Sequence, residues 1–433
     1  MAPKRKLQNA DERKVKRTKF ILADENFVTS TTEGVVLVTG QNDVGQLGLG
    51  DEVMEKNRFA LLDIPEQQIV DVCAGGMHTV CLTKSGKVFT FGCNDEGALG
   101  RKTDEEENSE FKPGEVNLPG KVSQISAGDS HTVALLGDGT VYAWGTFRDT
   151  HGNMGLTLSG NERIPCEIIN EGPIVKVASG ENHIAFLTKN GQVYTCGNGE
   201  QGQLGRTTER HSGRDGRGGM SKAQIERLLK PALINVKPSL KLHFENIWCG
   251  ACGTYAKVAG ADDIYVFGLN NYGQLGLDHR GQQYAPAHSK IFSQQKLLEI
   301  SVGVHHTLAL NEDGKVFAIG RHEYGRLGLG ADAKDATELT EIPKLSDVKV
   351  TKISAGSCTS FAVTDKGKLF CWGMGTSGQL GTGNDEDCLE PTLVGGKQLE
   401  QRSIIKVSSG GQHTVALAIT TNNNKGESEQ AES

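Results

Sequence analysis

Five histidines recur in one register along this 433-residue chain, at His78, His131, His183, His306 and His413, with Gly253 and Thr359 in the same place in two further copies. Imidazoles in such a row could bind a metal or serve as general bases. A repeat, however, carries one residue into every copy for structural reasons, such as bonding a neighbouring copy's backbone. That structural reading is preferred here, and metal binding is not expected. Cys249-Gly250-Ala251-Cys252 has the spacing of half a zinc site, but no second CxxC accompanies it. Buried strand cysteines are the simpler reading. The chain contains no GxxxxGK(S/T) phosphate loop, no HExxH and no GxSxG. Covalent catalysis, a cofactor and a bound metal are therefore all unexpected.

Two irregular loops are better candidates for function. In six copies, the closing glycine stands eight positions after the glycine ending the third strand, as from Gly40 to Gly48. From Gly145 to Gly155 the distance is ten, with Thr146-Phe147-Arg148-Asp149-Thr150-His151-Gly152 between them. A protruding loop with an aromatic, a cation and an acid resembles an interaction finger; the alternative is ordinary drift in loop length. The second irregularity is an insertion of roughly 18 residues after Arg206, with Arg210, Arg214 and Arg217 among Gly and Ser. A short helix is predicted to follow it. Ser221 would be its N-cap, Gln224 would complete the capping box, Ile225, Leu228 and Leu229 would be its apolar face, and Pro231 its stop. An arginine-rich loop braced by a helix could enter an acidic surface, or could simply be solvated.

The elements that carry these loops come from an internal repeat. Seven closing glycines, Gly48, Gly100, Gly155, Gly205, Gly276, Gly328 and Gly381, lie 52, 55, 50, 71, 52 and 53 residues apart. A period near this length means one supersecondary unit stacked many times. Within one copy, Ile125–Leu136 and Thr140–Gly145 are β-rich runs flanking Gly137-Asp138-Gly139, a hairpin signal. About four short strands per copy, nearly without helices, predicts an all-β, seven-bladed β-propeller. The last copy stops after His413-Thr414-Val415-Ala416-Leu417, and its missing half lies at Val35–Gly48. The N- and C-terminal segments should therefore close the seventh blade together and leave no open edge.

The net charge of −7 hides a polarised chain. Residues 1–20 carry eight basic side chains against Asp11 and Glu12, a sum of +6 that leaves −13 for the rest. Such a tail suits an anionic polymer, a targeting signal, or both. Residues 1–28 and 421–433 are polar and aperiodic, and are predicted to be disordered tails around a propeller of residues 29–420. No secretory or membrane-length apolar run is seen, so a reduced, soluble, intracellular protein is expected.

Ala74-Gly75-Gly76-Met77-His78-Thr79, Phe91–Gly100, Ser126-Ala127-Gly128-Asp129-Ser130-His131, Tyr324–Gly330 and Ser408–Thr414 resemble the regulator of chromosome condensation family, in phase from about residue 34 to 418. The resemblance implies a guanine-nucleotide exchange factor for the small GTPase Ran, in the nucleus and bound to chromatin, acting without covalent chemistry. The loop Phe147–Asn153, with Phe147, Arg148 and Asp149, would be a wedge against the GTPase's phosphate and magnesium contacts. Asp129, His305 or His306, and His413 would join it, with Asp43, His78, Arg206 and Asp385 also facing the GTPase at one end of the ring. On the opposite face Arg214 and Arg217 would anchor to the histone acidic patch of a nucleosome. The tail clusters Lys4, Arg5, Lys6 and Lys14, Lys16, Arg17 would contact the DNA backbone and a nuclear import receptor. No membrane partner is implied.

Two departures stand out. Many relatives carry Asn-Asp just before the third histidine, whereas this chain has Glu181-Asn182-His183, so either Glu181 or Asn182 takes the acidic role or that role is weakened. The substitution of Glu181 is preferred. Gly273 also stands where some relatives carry histidine. The alternative function is a non-catalytic chromatin-binding propeller scaffold. A light-sensing propeller would need clustered tryptophans, and Trp144, Trp248 and Trp372 are too few.

Overall fold

The computed structural model describes residues 21–22, 32–66, 68–104, 107–213 and 219–421. Its strands form seven four-stranded antiparallel sheets and one two-stranded hairpin. The sheets are the blades of a β-propeller. Blades 1 to 7 are taken in chain order from their innermost strands, Ile69–Ala74, Val122–Ala127, Ile174–Ser179, Phe244–Cys249, Leu297–Val302, Val350–Ala355 and Arg402–Ser409. The ends of these strands and the glycine turns after them line a central cavity of about 450 Å³.

Blade 7 joins the two ends of the chain. Its strand order is Glu55–Leu62, Val35–Gln41, His413–Thr420, Arg402–Ser409. Val35 pairs with Ala418 and Gly40 with His413, in unbroken antiparallel register. The half copies therefore complete one another, and the ring shows no free edge at the junction.

Alternating short strands and tight turns follow from local chemistry. The turns between second and third strands end on Gly86, Gly139, Gly191, Gly314 and Gly367, all with φ between +67° and +89°. That left-handed conformation favours glycine. The second strands are buried on both faces, as in His131–Leu136, because each blade is covered by its two neighbours. The hydrophobic core is accordingly divided among the joints. Val133, Phe147, Ile184 and Phe186 belong to the cluster between blades 2 and 3, and Val38, Leu47, Phe91 and Val415 to that between blades 7 and 1.

Each innermost strand is bulged at one place, between Ile69 and Asp71 in blade 1 and between Ile404 and Lys406 in blade 7. A bulge re-aims the residue that follows it. Here it brings forward a polar ring position whose members link neighbouring blades. Lys406 pairs with Asp71, Lys176 donates to Asn246 Oδ1, and Gln124 Nε2 donates to the Val177 carbonyl at 3.0 Å.

Two residues within the predicted tails contact the ring. Leu22 is only 5% exposed and packs with Leu187, Phe244 and Phe267 between blades 3 and 4. Its N–H donates to the Lys189 carbonyl. Within the predicted tail, an apolar residue found a groove at a joint that no repeat pattern signals. At the other end, the Thr421 N–H donates to the Gln401 carbonyl. Residues 1–20, 23–31 and 422–433 lie outside the described residues.

Candidate functional site

Four of the five histidines in the row are blade staples. His78 Nε2 lies 2.8 Å from Thr132 Oγ1, His183 Nε2 2.8 Å from Thr254 Oγ1, His306 Nε2 2.9 Å from Ser360 Oγ, and His413 Nε2 2.9 Å from Thr79 Oγ1. Every partner belongs to the next blade. The glycine before each ring must lack a side chain, since a Cβ on Gly75 would sit 2.2 Å from His78 Cε1. Burial pushes His78, His183 and His306 down to about 3 and His413 to about 4, so all are neutral. This corrects the expectation for His78, His306 and His413, which are at most 1% exposed and hold blades together instead of facing a partner. His305, half-buried beside them, stacks edge-on against Tyr272 at 5.0 Å.

Cys249 and Cys252 are free and partly buried, with thiols pushed up to about 12 by burial. Protonated thiols are poor metal ligands.

The ten-residue loop is a β-hairpin. Phe147–Asp149 pairs with Gly152–Gly155, and Arg148 stands opposite Asn153. Phe147 corrects the expectation of an exposed wedge aromatic, because it has no exposed surface and is packed edge-on against His131 at 4.9 Å. It stands two residues after its strand-ending glycine, where Asn42, Asn94 and Asn270 stand in other copies. Those asparagines accept from Leu47, Leu99 and Leu275 N–H and fold the loop tightly. Phe147 offers no such acceptor, and its loop, two residues longer, forms the hairpin. Thr150, His151 and Gly152 form the exposed tip.

Side chains from three other loops hold the hairpin. Asn182 Oδ1 accepts from Arg148 N–H at 2.8 Å, and Asn198 Nδ2 donates to the Arg148 carbonyl at 2.9 Å. On the blade 1 side, the Glu96 carboxylate accepts from Arg148 Nη2 at 3.1 Å, from Asn153 Nδ2 at 2.7 Å, and from Asn161. On the blade 3 side, Glu200 accepts from Thr150 N–H at 3.1 Å and its hydroxyl at 2.9 Å. Desolvation pushes the Glu96 carboxyl up, but the hydrogen bonds from Asn153 and Arg148 outweigh it and hold the net value down. Glu96 is therefore an anion that ties both strands of the hairpin.

The mouth of the central cavity lies at the hairpin's foot, lined by Asp129, Arg148 and Glu181. Glu181 is pushed up to about 7, first by desolvation and then by the charge of Asp129. Asn182 hydrogen-bonds the hairpin, and no hydrogen bond from Glu181 to it is seen among the described residues. The loops following the third strands of blades 6 and 7 carry Asp385 and Asp43, both exposed. Arg206 corrects another expectation. Its guanidinium donates to the carbonyls of Thr195, Arg227, Leu228 and Lys230. It closes the end of the insertion helix.

That helix, Lys222–Leu229, has the expected capping box between Ser221 and Gln224, with Leu228 and Leu229 buried. The described edge of the insertion comes near Glu200. A Cβ on Gly213 would lie 3.6 Å from Glu200 Cγ, and Glu200 holds the hairpin tip. Arg214 and Arg217 fall outside the described residues, as do Lys4, Arg5, Lys6, Lys14, Lys16 and Arg17.

The model of one family, the RCC1-like domain, matches residues 35–416. The chain belongs to the RCC1-like domain family. A Xenopus laevis protein named Regulator of chromosome condensation is 48% identical to this RCC1-like chain over 408 residues, 93% of this chain and 94% of its own length. The Saccharomyces cerevisiae protein Guanine nucleotide exchange factor SRM1 is 29% identical over 438 residues, covering 88% and 86%. The crystal structure of Prp20p from Saccharomyces cerevisiae, described with its binding to Gsp1p and histones, has a TM-score of 0.84 at 27% identity over 94% of this chain and 97% of that one. A Prp20 structure bound to Kap60 matches with the same TM-score, 0.84, and covers 97% of each chain.

Within this RCC1-like ring the three tryptophans are separate. Trp144 and Trp372 are fully buried in blades 2 and 6, each donating to a loop carbonyl of the preceding blade, while Trp248 lies in blade 4. Sequence reasoning missed Glu96, Asn198 and Glu200. Their only signal is an acid or amide just ahead of a closing signature, in loops roughly 50 residues from the hairpin they hold.

Proposed function

We propose that this chain is a guanine-nucleotide exchange factor for a small GTPase of the Ran class, working in the nucleus while docked on chromatin. Relatives named as regulators of chromosome condensation and as an exchange factor support the reading. The observation that carries it is the hairpin Phe147–Gly155, held on both flanks by Glu96, Asn182, Asn198 and Glu200.

Exchange makes and breaks no covalent bond. A factor that binds the nucleotide-free GTPase more tightly than the loaded form must, by reciprocity, weaken the GTPase's hold on nucleotide. Only this differential binding speeds release. A loose loop would lose entropy on being ordered, whereas a held hairpin is already set. Arg148, Asp149 and the tip would press on the phosphate-binding region and displace its phosphate and magnesium contacts. Asp129, Glu181, Asp43 and Asp385 would give this end an anionic field that steers a basic partner, with His305 beside them.

Arg214 and Arg217 would reach the histone acidic patch. The tail clusters Lys4, Arg5, Lys6, Lys14, Lys16 and Arg17 would bind the DNA backbone without sequence preference and with strong salt dependence, and would also serve an import receptor. The test is release of a fluorescent GDP analogue from Ran with catalytic amounts of this protein. Turnover is expected for GDP and GTP alike. No acceleration by a folded ring would leave a chromatin-docking scaffold.

A further inference from the structure

The histidine staples are links in a longer relay. Thr132 Oγ1 donates to the Ala98 carbonyl, Thr254 Oγ1 to Gln203, Thr79 Oγ1 to Gln46, and Ser360 Oγ to Arg326. Each hydroxyl has one proton and spends it there, so the histidine Nε2 that it faces must be the protonated nitrogen. Each relay thus pins the closing signature of the preceding blade's loop. Where histidine is absent, other hydroxyls restore the joint. Tyr255 Oη lies 2.9 Å from Thr307 Oγ1 between blades 4 and 5, and Ser409 Oγ bonds Thr359 Oγ1 in the joint between blades 6 and 7.

Among the described residues, one joint lacks any such histidine or hydroxyl link. Between blades 2 and 3, His131 faces the position of Ile184, which has no hydroxyl. Both nitrogens of His131 are buried without a hydrogen-bond partner. The carbonyl that would end this relay belongs to Asn153, in the second strand of the hairpin. The loop beside the joint with no such hydroxyl link is therefore the one that stands out from the ring. Ile184 packs in one cluster with Phe147 and Leu156, the residues at the hairpin's foot. His131, freed from a hydroxyl, meets Phe147 at 4.9 Å with an interplanar angle of 66°. An edge-to-face pair of this kind is directional as well as apolar.

We infer that His131 is a positioning residue for exchange, holding the hairpin's direction through its edge contact with Phe147, and that Ile184 keeps it in that role by withholding a hydroxyl. The inference rests on the exchange reading above. It names a residue with no exposed surface, acting through Phe147.

Three variants test it, His131→Leu, Ile184→Thr and Ser360→Ala, the last breaking a staple at the joint between blades 5 and 6. Each is measured for GDP release from Ran with kcat and KM separated, for amide hydrogen exchange across Arg148–Asn153, and for melting temperature. His131→Leu should speed hairpin amide exchange and lower kcat roughly tenfold or more with KM little changed, since a small misplacement at the reacting geometry is costly. Ile184→Thr should give His131 a hydroxyl, draw it from Phe147, and lower kcat while raising the melting temperature. Ser360→Ala should lower the melting temperature alone. The inference is overturned if His131→Leu and Ile184→Thr shift only melting temperature, or if Ser360→Ala disturbs the hairpin equally. Should the native chain release no GDP, the exchange reading fails, and the hydrogen-exchange comparison still decides whether His131 holds the hairpin.

Discussion

The backbone N–H of Arg148 donates to Asn182 Oδ1 at 2.8 Å, fixing the first residue beyond the hairpin's buried foot to the turn before the blade 3 histidine. Two features that look unrelated in the sequence, a lengthened loop and an altered Glu-Asn-His turn, thus meet in one hydrogen bond.

Asn182→Ala should remove that acceptor and leave a half-buried N–H unsatisfied, at a cost of about 1–3 kcal/mol. Amide exchange at Arg148 should accelerate and GDP release should slow. Asn182→Asp keeps an acceptor and should preserve the hairpin. Native hairpin protection in Asn182→Ala would show that this bond does not hold it.

Glu96 and Glu200 grip the hairpin from opposite sides, so their losses should couple. Glu96→Ala and Glu200→Ala should each slow GDP release, and the double variant should slow it by more than the product of the single effects. Strict additivity in a double-mutant cycle would mean that the two carboxylates act separately.

The buried ionisable groups give stability opposing pH trends. Glu181 is raised to about 7 by desolvation and Asp129. Its contribution is present at low pH and lost as pH rises through 7, so Glu181→Gln should be the more stable protein at pH 8. The lowered histidines act the other way, because unfolding lets them take up protons below about 6.5. Several histidines outweigh one glutamate, and stability should fall steeply with acid below that point. Melting curves from pH 5 to 8 on both proteins check this. Identical curves would show that Glu181 is not perturbed in solution.

Arg206→Ala should fray the helix Lys222–Leu229, read as faster amide exchange there, and leave GDP release nearly unchanged. Arg214→Glu with Arg217→Glu should weaken nucleosome binding in a pull-down and spare release from free Ran. If release fell in the double variant, the division between GTPase and nucleosome contacts would be wrong.

The ring itself was legible because a repeat prints its period, and because the half copies at Val35–Gly48 and Arg402–Leu417 complement each other. The hairpin was legible as a two-residue excess between Gly145 and Gly155. Its interior was not. Phe147 reads as an exposed aromatic until it is compared with Asn42, Asn94 and Asn270 at the same offset. Arg206 reads as a free cation until Arg101, its counterpart one position after a closing glycine, is seen donating to the Thr90 and Ser109 carbonyls. The staples of His78, His306 and His413 depend on hydroxyls more than 50 residues away or at the far end of the chain. Glu96 and Glu200 become partners of the hairpin only when three blades are side by side. Convergence of that kind is a property of the closed ring and has no local signature.

The most direct test of the account replaces Arg148–Asn153 with a short Gly-Ser turn, keeping Phe147 at its buried position. Release of a fluorescent GDP analogue from Ran is then compared with that of the native chain, alongside melting temperature. The account predicts turnover by the native chain and near-complete loss in the variant, with the ring still folded. Equal release by the two proteins would contradict the wedge and move the search to the anionic mouth at Asp129 and Glu181.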